Sequence, residues 1–488
     1  MAASLASFAS ILKEFYLGPI QDQLNEETLV CELFEKASVD WNGRQVIIPC
    51  HVARNANVAW VGEGGNLPGP AVGVVGLPGV LGASQQGYVN LTVTAVFLYG
   101  RFMITGPAMA SAGKGGANSF VGWVDGEMNK LVNDIKVNCN RSAVSGGRCI
   151  GFVTHLTQLV QPAVTVCTFD GDVAKAGALA ALGPAGTVAG GTVRLVRMDT
   201  YQDLSTGGGG TLDVTGAGVG TITLSALVGD TPNVGPNFPA DPAGNQIPSA
   251  VVITDAAQAA LVVANSPDPD QEPMGIYGNL GLGGDGGNGG AYAGAAWFGL
   301  DRTTAGGAAT GAQALQCGDG DQPFGTGIPV SNILSFNNAD NTRLVALAPA
   351  QIQSVMDRIT LASGGEPDIL LVNPLQRTQL SAMAAAVNVL NLNPGAASTR
   401  VADQGYTGYA FAGVPVKTSR HVDNGCIIFL STKAWKMTEL ESGKFADEDG
   451  DILSRVGIAD AYEGFYKWYY NVVCTKPNTN GILTGLPL

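Results

Sequence analysis

Histidines, cysteines and closely spaced carboxylates are the side chains through which this sequence could bind a metal ion or attack a substrate, and their spacing tests both roles. His51, His155 and His421 stand far apart. None is spaced as a ligand pair with another His or with a Cys, as a transition-metal site requires. The eight cysteines, Cys31, Cys50, Cys139, Cys149, Cys167, Cys317, Cys426 and Cys474, include no Cys-x-x-Cys pair and lie mostly in apolar runs. That pattern predicts reduced, buried thiols in a cytosolic product. No Gly-x-Ser-x-Gly elbow occurs, so nothing local supports a serine or cysteine hydrolase, although a triad assembled in space stays open. The pairs Gly113-Lys114 and Gly443-Lys444 lack the upstream glycine and the following hydroxyl of a phosphate cradle. The glycines from Gly281 to Gly294 do not separate a strand from a helix and read as a loop. Asp447, Asp449 and Asp451 alternate around Glu448 and Gly450, and their oxygens could meet a divalent cation. A calcium loop places Gly sixth and an acid twelfth, whereas here Gly is fourth and the twelfth residue is Ile458. A solvated acidic turn and a weak metal site are the two readings. Asn90-Leu91-Thr92 has the form of a glycosylation sequon, but without export it is only part of a strand.

Composition points to a surface that neighbours cover. The 488 residues suffice for a large core or several domains. Glycine is abundant at 68 residues, and charged residues make up 14%, well below the roughly 25% of an average chain. Such a surface suits coverage by neighbours better than solvation alone. The net charge of −14 argues against a nucleic-acid backbone as ligand, which needs clustered Lys and Arg. The first twenty residues lack a basic leader and are interrupted by Lys13 and Glu14, so no signal peptide is expected. The most apolar run, Ala71 to Ala83, is too short and too rich in Gly and Pro to span a bilayer.

One long amphipathic helix organises the chain. From Asn118 to Asn140, Phe120, Val124, Met128, Leu131, Ile135 and Cys139 recur at helical spacing on one side. Asn118 or Ser119 is placed to cap its start, Lys136 and Arg141 lie late, and Ser145, Gly146 and Gly147 stop it. Before it, residues 1 to 43 hold seven acidic against two basic side chains and read as an arm with a short helix near Asn25 to Phe34. Arg44 to Val52 and Tyr88 to Leu98 alternate as the two arms of a hairpin. Between Asn55 and Gly113 the only charged residues are Glu63 and Arg101. An apolar loop of that length would aggregate if left bare, so it is expected to lie against another subunit. After the helix, short β-type runs between Gly-rich turns predict an inserted β-domain. From Arg343 the pattern is α/β: Ile352, Val355, Met356 and Ile359 mark a helix, Ile369 to Val372 a buried strand, and Pro374 opens a second helix. Tyr409 to Thr418 and Cys426 to Leu430 read as further strands. Near the end, Tyr462, Phe465, Tyr466, Trp468, Tyr469 and Tyr470 fall within nine residues, more aromatic surface than one chain is expected to bury by itself.

The order of these segments resembles the major capsid proteins of tailed bacteriophages with the HK97 fold. The resemblance is carried by FYLGPIQDQLNEETLVCELFEK (15–36), WNGRQVIIPCHVARN (41–55), EGGNLP (63–68), FLYGRFMITGPA (97–108) and the long helix. FGLDRTT (298–304), DILLVNPLQRTQL (368–380), FAGVPVKTS (411–419) and KFADEDGDILSRVGIADAYEGFYKWYYN (444–471) agree further on. It covers about 10–160 and 270–485. It implies an α+β fold with an N-terminal arm (1–49), an E-loop hairpin (50–98) and a P-domain with a spine helix (99–163). A β-rich insertion (164–270), a Gly-rich connection (271–342), an α/β A-domain (343–432) and return strands to the P-domain (433–488) complete it. It implies no enzyme activity and no cofactor. The expected assembly is of hexamers and pentamers in an icosahedral shell that encloses double-stranded DNA without reading its sequence. Portal, scaffolding or decoration proteins are the expected partners, with assembly in the host bacterial cytoplasm and a place in the virion. Arg54, Trp60, Glu63, Leu67, Arg101, Tyr466, Trp468 and Tyr470 are the candidate subunit contacts. The founding member of that family crosslinks its subunits through an E-loop lysine. This E-loop has no lysine, and an uncrosslinked shell is expected. An encapsulin-like nanocompartment shell is the alternative within the same fold; an enzyme or a secreted β-rich adhesin is the alternative outside it.

Overall fold

The computed structural model describes residues 28–37, 40–53, 60, 62–63, 87–114, 117–146, 149–159, 164–171, 192–197, 212–218, 221–226, 249–253, 273, 275–277, 279–280, 332–335, 347–389, 410–423, 425–447, 453–457, 459–484 and 486. It opens with a short helix, α1 (Leu29–Leu33), and a strand, β1 (Glu35–Ala37). The first residues of the helix expected from Asn25 lie outside the described residues. The hairpin follows as β2 (Gln45–Ala53) and β3 (Gly87–Thr94), antiparallel, with Val46 opposite Val93 and Ile48 opposite Leu91. Alternation decides its faces: Val46 and Val93 are buried, whereas Ile47 is exposed. The run that reads as one strand from Tyr88 to Leu98 is in fact two. The Ala95 N–H donates to the Arg44 carbonyl (3.0 Å), and Arg44 Nε donates back to the Ala95 carbonyl (3.3 Å). Past this clasp the chain leaves the hairpin as β4 (Val96–Thr105).

Two helices come next, α2 (Gly106–Lys114) and α3 (Ala117–Ser145). At about 1.5 Å per residue α3 is roughly 43 Å long. It outruns the predicted span at both ends, so Asn118 and Ser119 lie inside it, and its last turn carries no basic residue. Burial of a side-chain stripe therefore stabilises α3 more than terminal charges do. Ile135 and Cys139 of the predicted stripe are indeed buried. Gly146 ends the helix with its N–H on the Ser142 carbonyl (2.8 Å).

Six strands then form a closed antiparallel barrel: β5 (Cys149–Leu159), β6 (Val164–Gly171), β7 (Thr192–Arg197), β8 (Leu212–Gly218), β9 (Thr221–Ala226) and β10 (Ser249–Ile253), in the order β10-β5-β6-β9-β8-β7. The β-rich insertion, which the resemblance bounds at 164, thus pairs back onto β5, so the barrel begins near Ile150, where the sequence pattern changes to short β-type runs. The chain returns to its point of departure. The Gly275 N–H donates to the Gly146 carbonyl (3.2 Å). A Cβ on Gly146 would press into the carbonyls of Pro273 and Ser142, and one on Gly275 would lie 2.5 Å from the Ser142 carbonyl. Only glycine permits so tight a neck.

The remaining described elements are β11 (Asn332–Ser335), α4 (Pro349–Ser363), β12 (Ile369–Val372), α5 (Pro374–Val389), β13 (Ala410–Phe411), β14 (Val414–Thr418), β15 (Ile427–Leu430), β16 (Trp435–Phe445), β17 (Ser454–Arg455), β18 (Ala461–Cys474) and β19 (Gly481–Thr484). A mixed six-stranded sheet runs β11-β19-β15-β12-β14-β13. Both of its faces are covered. Leu370, Val372, Ile427, Phe429 and Leu483 pack with Ile352, Val355 and Ile359 of α4, while Ile369, Leu371, Ile428, Leu430 and Ile482 join a second core. Two-sided burial is why ILLV and IIFL show no alternation. Helix α4 begins with Pro349 and ends at Gly364, whose φ of 70° and N–H bond to the Thr360 carbonyl (2.8 Å) make a left-handed cap. Strands β11 and β19 come from the Gly-rich connection and the C-terminal segment, so this sheet draws on residues outside 343–432.

The other large sheet is built on β18. Strand β16 runs along one edge with β1 beyond it, β4 occupies the other edge, and β17 pairs near the start of β18. Buried Asn480 links the two sheets: its Oδ1 accepts from the Ser431 N–H (2.9 Å) and Trp435 Nε1 (3.0 Å). The arm is docked here as well. Phe34 stacks on Trp435 at 5.2 Å, and Cys31 forms a disulfide with Cys139. The disulfide corrects the expectation of reduced thiols. The two cysteines are 108 residues apart in sequence, yet α1 against α3 brings their Cα atoms to 6.5 Å. Among the described residues, Cys50, Cys426 and Cys474 stand outside the disulfide. No described helix is long and apolar enough to cross a membrane.

Candidate subunit-contact face

Strand β18 is fourteen residues long and aromatic on both sides, so its period of two assigns each ring to a face. In the β4 register Tyr466 lies opposite Gly100, Trp468 opposite Leu98 and Tyr470 opposite Val96. These share the face beneath α3. Gly100 lets the helix approach: a Cβ there would lie 2.5 Å from Ile135 Cδ1 and 3.0 Å from Leu131 Cδ1. Tyr470 is 1% exposed, and its hydroxyl meets Ser142 Oγ of α3 at 3.5 Å. Trp468 packs on Tyr470 with ring centres 4.6 Å apart and donates Nε1 to Glu439 Oε1 (3.2 Å).

The opposite face carries Phe97, Tyr99 and Arg101 from β4 with Glu463, Phe465, Lys467 and Tyr469 from β18. Tyr99 is 56% exposed. Its hydroxyl bonds the Tyr469 hydroxyl at 3.0 Å, and Phe97 meets Tyr469 edge to face at 4.9 Å. Three ion pairs surround these rings. Arg101 pairs with Glu463, and Glu441 receives both Lys444 (2.8 Å) and buried Lys467 (3.2 Å). Hydrogen bonds from Lys444 and then Lys467 hold the Glu441 carboxyl below the usual range. The hydrogen bond to Tyr99, with some burial, pushes the Tyr469 phenol up to about 12. The result is a partly open aromatic patch with both charge signs at its border. It has the composition of a protein-contact surface.

The structure distributes the predicted contact residues unevenly. Trp60 is fully exposed and Glu63 is exposed, while Arg54 and Leu67 lie outside the described residues. Arg101 finds its acid in its own chain. Tyr466 leans over Gly443 and meets the Phe445 ring at 5.2 Å. Tyr470 is a correction: it sits in the core under α3 and is not available to a neighbour. Asp447 is exposed, Asp449 and Asp451 lie outside the described residues, and no group of three potential ligands occurs among the described residues. Sequence reasoning missed Tyr99, Lys467 and Glu441, and it named Tyr469 only as one of the six clustered aromatics. Parity was the available signal, since Tyr466, Trp468 and Tyr470 share one face and Tyr469 must point to the other.

Residues 288–487 match the family model of the SU10 major capsid protein. The chain is similar in fold to the capsid asymmetric unit of cyanophage A-1(L), at 9% identity and a TM-score of 0.50, with 99% of each chain covered. A capsid of a native GTA particle aligns over 100% of both chains at 8% identity and a TM-score of 0.43. The SrpI encapsulin of Synechococcus elongatus aligns over 32% of this chain and 53% of its own, at 14% identity and a TM-score of 0.22. No curated protein matches the sequence. Its mixed helix-and-strand architecture and the match over 288–487 together make this chain similar to the HK97-like major capsid proteins of bacteriophages.

Proposed function

We propose that the chain is a phage major capsid protein, a structural subunit without catalysis that assembles as hexamers and pentamers into an icosahedral shell around double-stranded DNA. The observation that carries this is the capsid-family match over 288–487, a span that contains the α/β sheet and the return strands of the β18 sheet. In this reading β2 and β3 are the base of the E-loop, α3 is the spine helix, the β18 sheet is the core of the P-domain, and 343–432 supplies most of the A-domain. Exposed Trp60 and the nearly uncharged stretch around it fit a hairpin that lies on a neighbouring subunit. The charge of −14 suits a wall that must not adsorb the packaged duplex. Portal, scaffolding or decoration proteins would be the heterologous partners, and assembly would take place in the bacterial cytoplasm before the protein reaches the virion.

Electron microscopy of the expressed protein and of particles from phage-producing cells tests the proposal. Icosahedral shells with nuclease-resistant DNA are expected, and an enzyme cargo would instead identify a nanocompartment. A chain that remains monomeric in gel filtration and turns over a substrate would overturn it. Because residues 50–98 contain no lysine, intact particles should run as a single band at 49.9 kDa on a denaturing gel. A ladder above that band would refute the uncrosslinked shell.

A further inference from the structure

Among the described residues, Cys31 and Cys139 form the disulfide, and it joins the amino-terminal segment to the middle of the molecule. Other contacts converge on the same place. Asn140, next to Cys139, is completely buried, and its Oδ1 accepts from the Val30 N–H (2.7 Å) and the Cys31 N–H (3.3 Å). One side chain of α3 thus serves two of the orphan N–H groups at the start of α1. On the other side of α1, Phe34 stacks on Trp435 and Lys36 Nζ reaches Glu439 Oε1 at 2.8 Å. These contacts hold Cys31 against α3 whether or not the sulfurs are bonded. The two residues differ in burial: Cys31 is half-buried and Cys139 is 1% exposed.

We propose that Cys31 and Cys139 form a redox-controlled latch on the amino-terminal segment, open as two thiols under reducing conditions and closed by exchange with a small-molecule disulfide. The more accessible Cys31 is the entry point. Its thiolate attacks the small disulfide, forms a mixed disulfide and releases one small thiolate. The Cys139 thiolate then attacks Cys31 Sγ, and the mixed disulfide breaks to release the second. Two cysteine thiols are oxidised, one small disulfide is reduced to two thiols, and the two cysteine protons end on those thiols. The docking of α1 precedes the bond, so closure needs no rearrangement. What the bond adds is persistence, because residues before Cys31 remain tethered when the surrounding contacts open locally.

The test uses the full-length protein equilibrated with oxidised or with reduced glutathione, alkylated with iodoacetamide and mapped by peptide mass spectrometry. In parallel, trypsin cuts after exposed Lys36. The oxidised protein should yield a linked pair of peptides containing Cys31 and Cys139. The tryptic fragment that ends at Lys36 and contains Cys31, 14–36 once Lys13 is cut as well, should stay attached on a non-reducing gel and separate on a reducing one. Cleavage at Lys36 should be about fivefold or more slower in the oxidised protein, since the cut requires local opening. Cys31→Ser should abolish the linked peptide and the redox dependence, and Cys50→Ser should keep both. Full alkylation of both cysteines after oxidation, or equal cleavage rates in both states, would overturn the latch. If Cys31→Ser fails to fold, the two redox states of the unmodified chain still decide the question.

Discussion

Replacing Gly146 by alanine tests the neck through which the barrel is attached. The added Cβ would press into the backbone carbonyls of Pro273 and Ser142 and lie 3.1 Å from the Gly275 nitrogen. None of these is the flexible end of a side chain, so the backbone must give way. Overpacking of this kind costs about 1–3 kcal/mol. The hydrogen bond from Gly275 to the Gly146 carbonyl is the first contact to yield, and its loss adds about 1 kcal/mol. Gly146→Ala should therefore destabilise the unassembled chain by about 2–4 kcal/mol. At Gly126, in the same helix, a Cβ would meet no atom within 4 Å. Gly126→Ala should stabilise α3 by up to about 1 kcal/mol, because alanine is the better helix former. Denaturant titration of both variants, followed by circular dichroism, reads the two effects with opposite sign. Equal midpoints for Gly146→Ala and the parent would refute the close approach of the two glycines. A destabilised Gly126→Ala would refute the open environment assigned to that position.

Further perturbations address the contact face and the hairpin. Trp60→Asp should lower particle yield and leave the midpoint of the unassembled chain unchanged, because the Trp60 side chain is fully exposed in its own protomer; assembly at parental yield would remove it from the contacts. Arg101→Ala breaks an ion pair that is exposed on the Arg101 side, worth at most about 1 kcal/mol in the isolated chain. A lower particle yield with a nearly unchanged midpoint would place it in an interface, and normal yield would exclude it. The raised Tyr469 phenol ionises later in the folded chain than in the unfolded one. Its contribution to stability is complete below about pH 10 and is lost as pH rises towards about 12. Tyr469→Phe should flatten that alkaline decline, as followed by pH-dependent melting; an unchanged decline would show that other groups cause it.

Much of the fold is legible in the sequence because its cause is periodic. The Val46–Val93 register and the Ile135–Cys139 stripe follow from patterns of two and of 3.6 residues along single segments. What periodicity misses depends on contacts across the chain. The break at Ala95 is invisible to alternation because the clasp with Arg44 creates it. The disulfide joins residues that only the docking of α1 brings together. Strand β5 follows the pattern change at Ile150, and only the boundary at 164 that the resemblance implies sets it apart from its partner β6. Among the aromatic residues of β18, Tyr466 and Trp468 stand out by size alone, and Tyr470 looks equally available until the helix above it supplies the cover. Tyr99 draws no notice in the sequence because its partner, Tyr469, lies 370 residues further on.

The two chemistries on β18 also have a consequence for how the sheet finds its alignment. A slip of one residue against β4 would turn Lys467 and Glu463 beneath α3 and expel Trp468 and Tyr470 into water. The slipped form would bury charges without partners and would no longer set Tyr466 across from Gly100. Misalignment is therefore rejected by desolvation of charge, over and above the loss of apolar packing. The lysine that looks out of place among six aromatic residues acts as a proofreading residue for the strand.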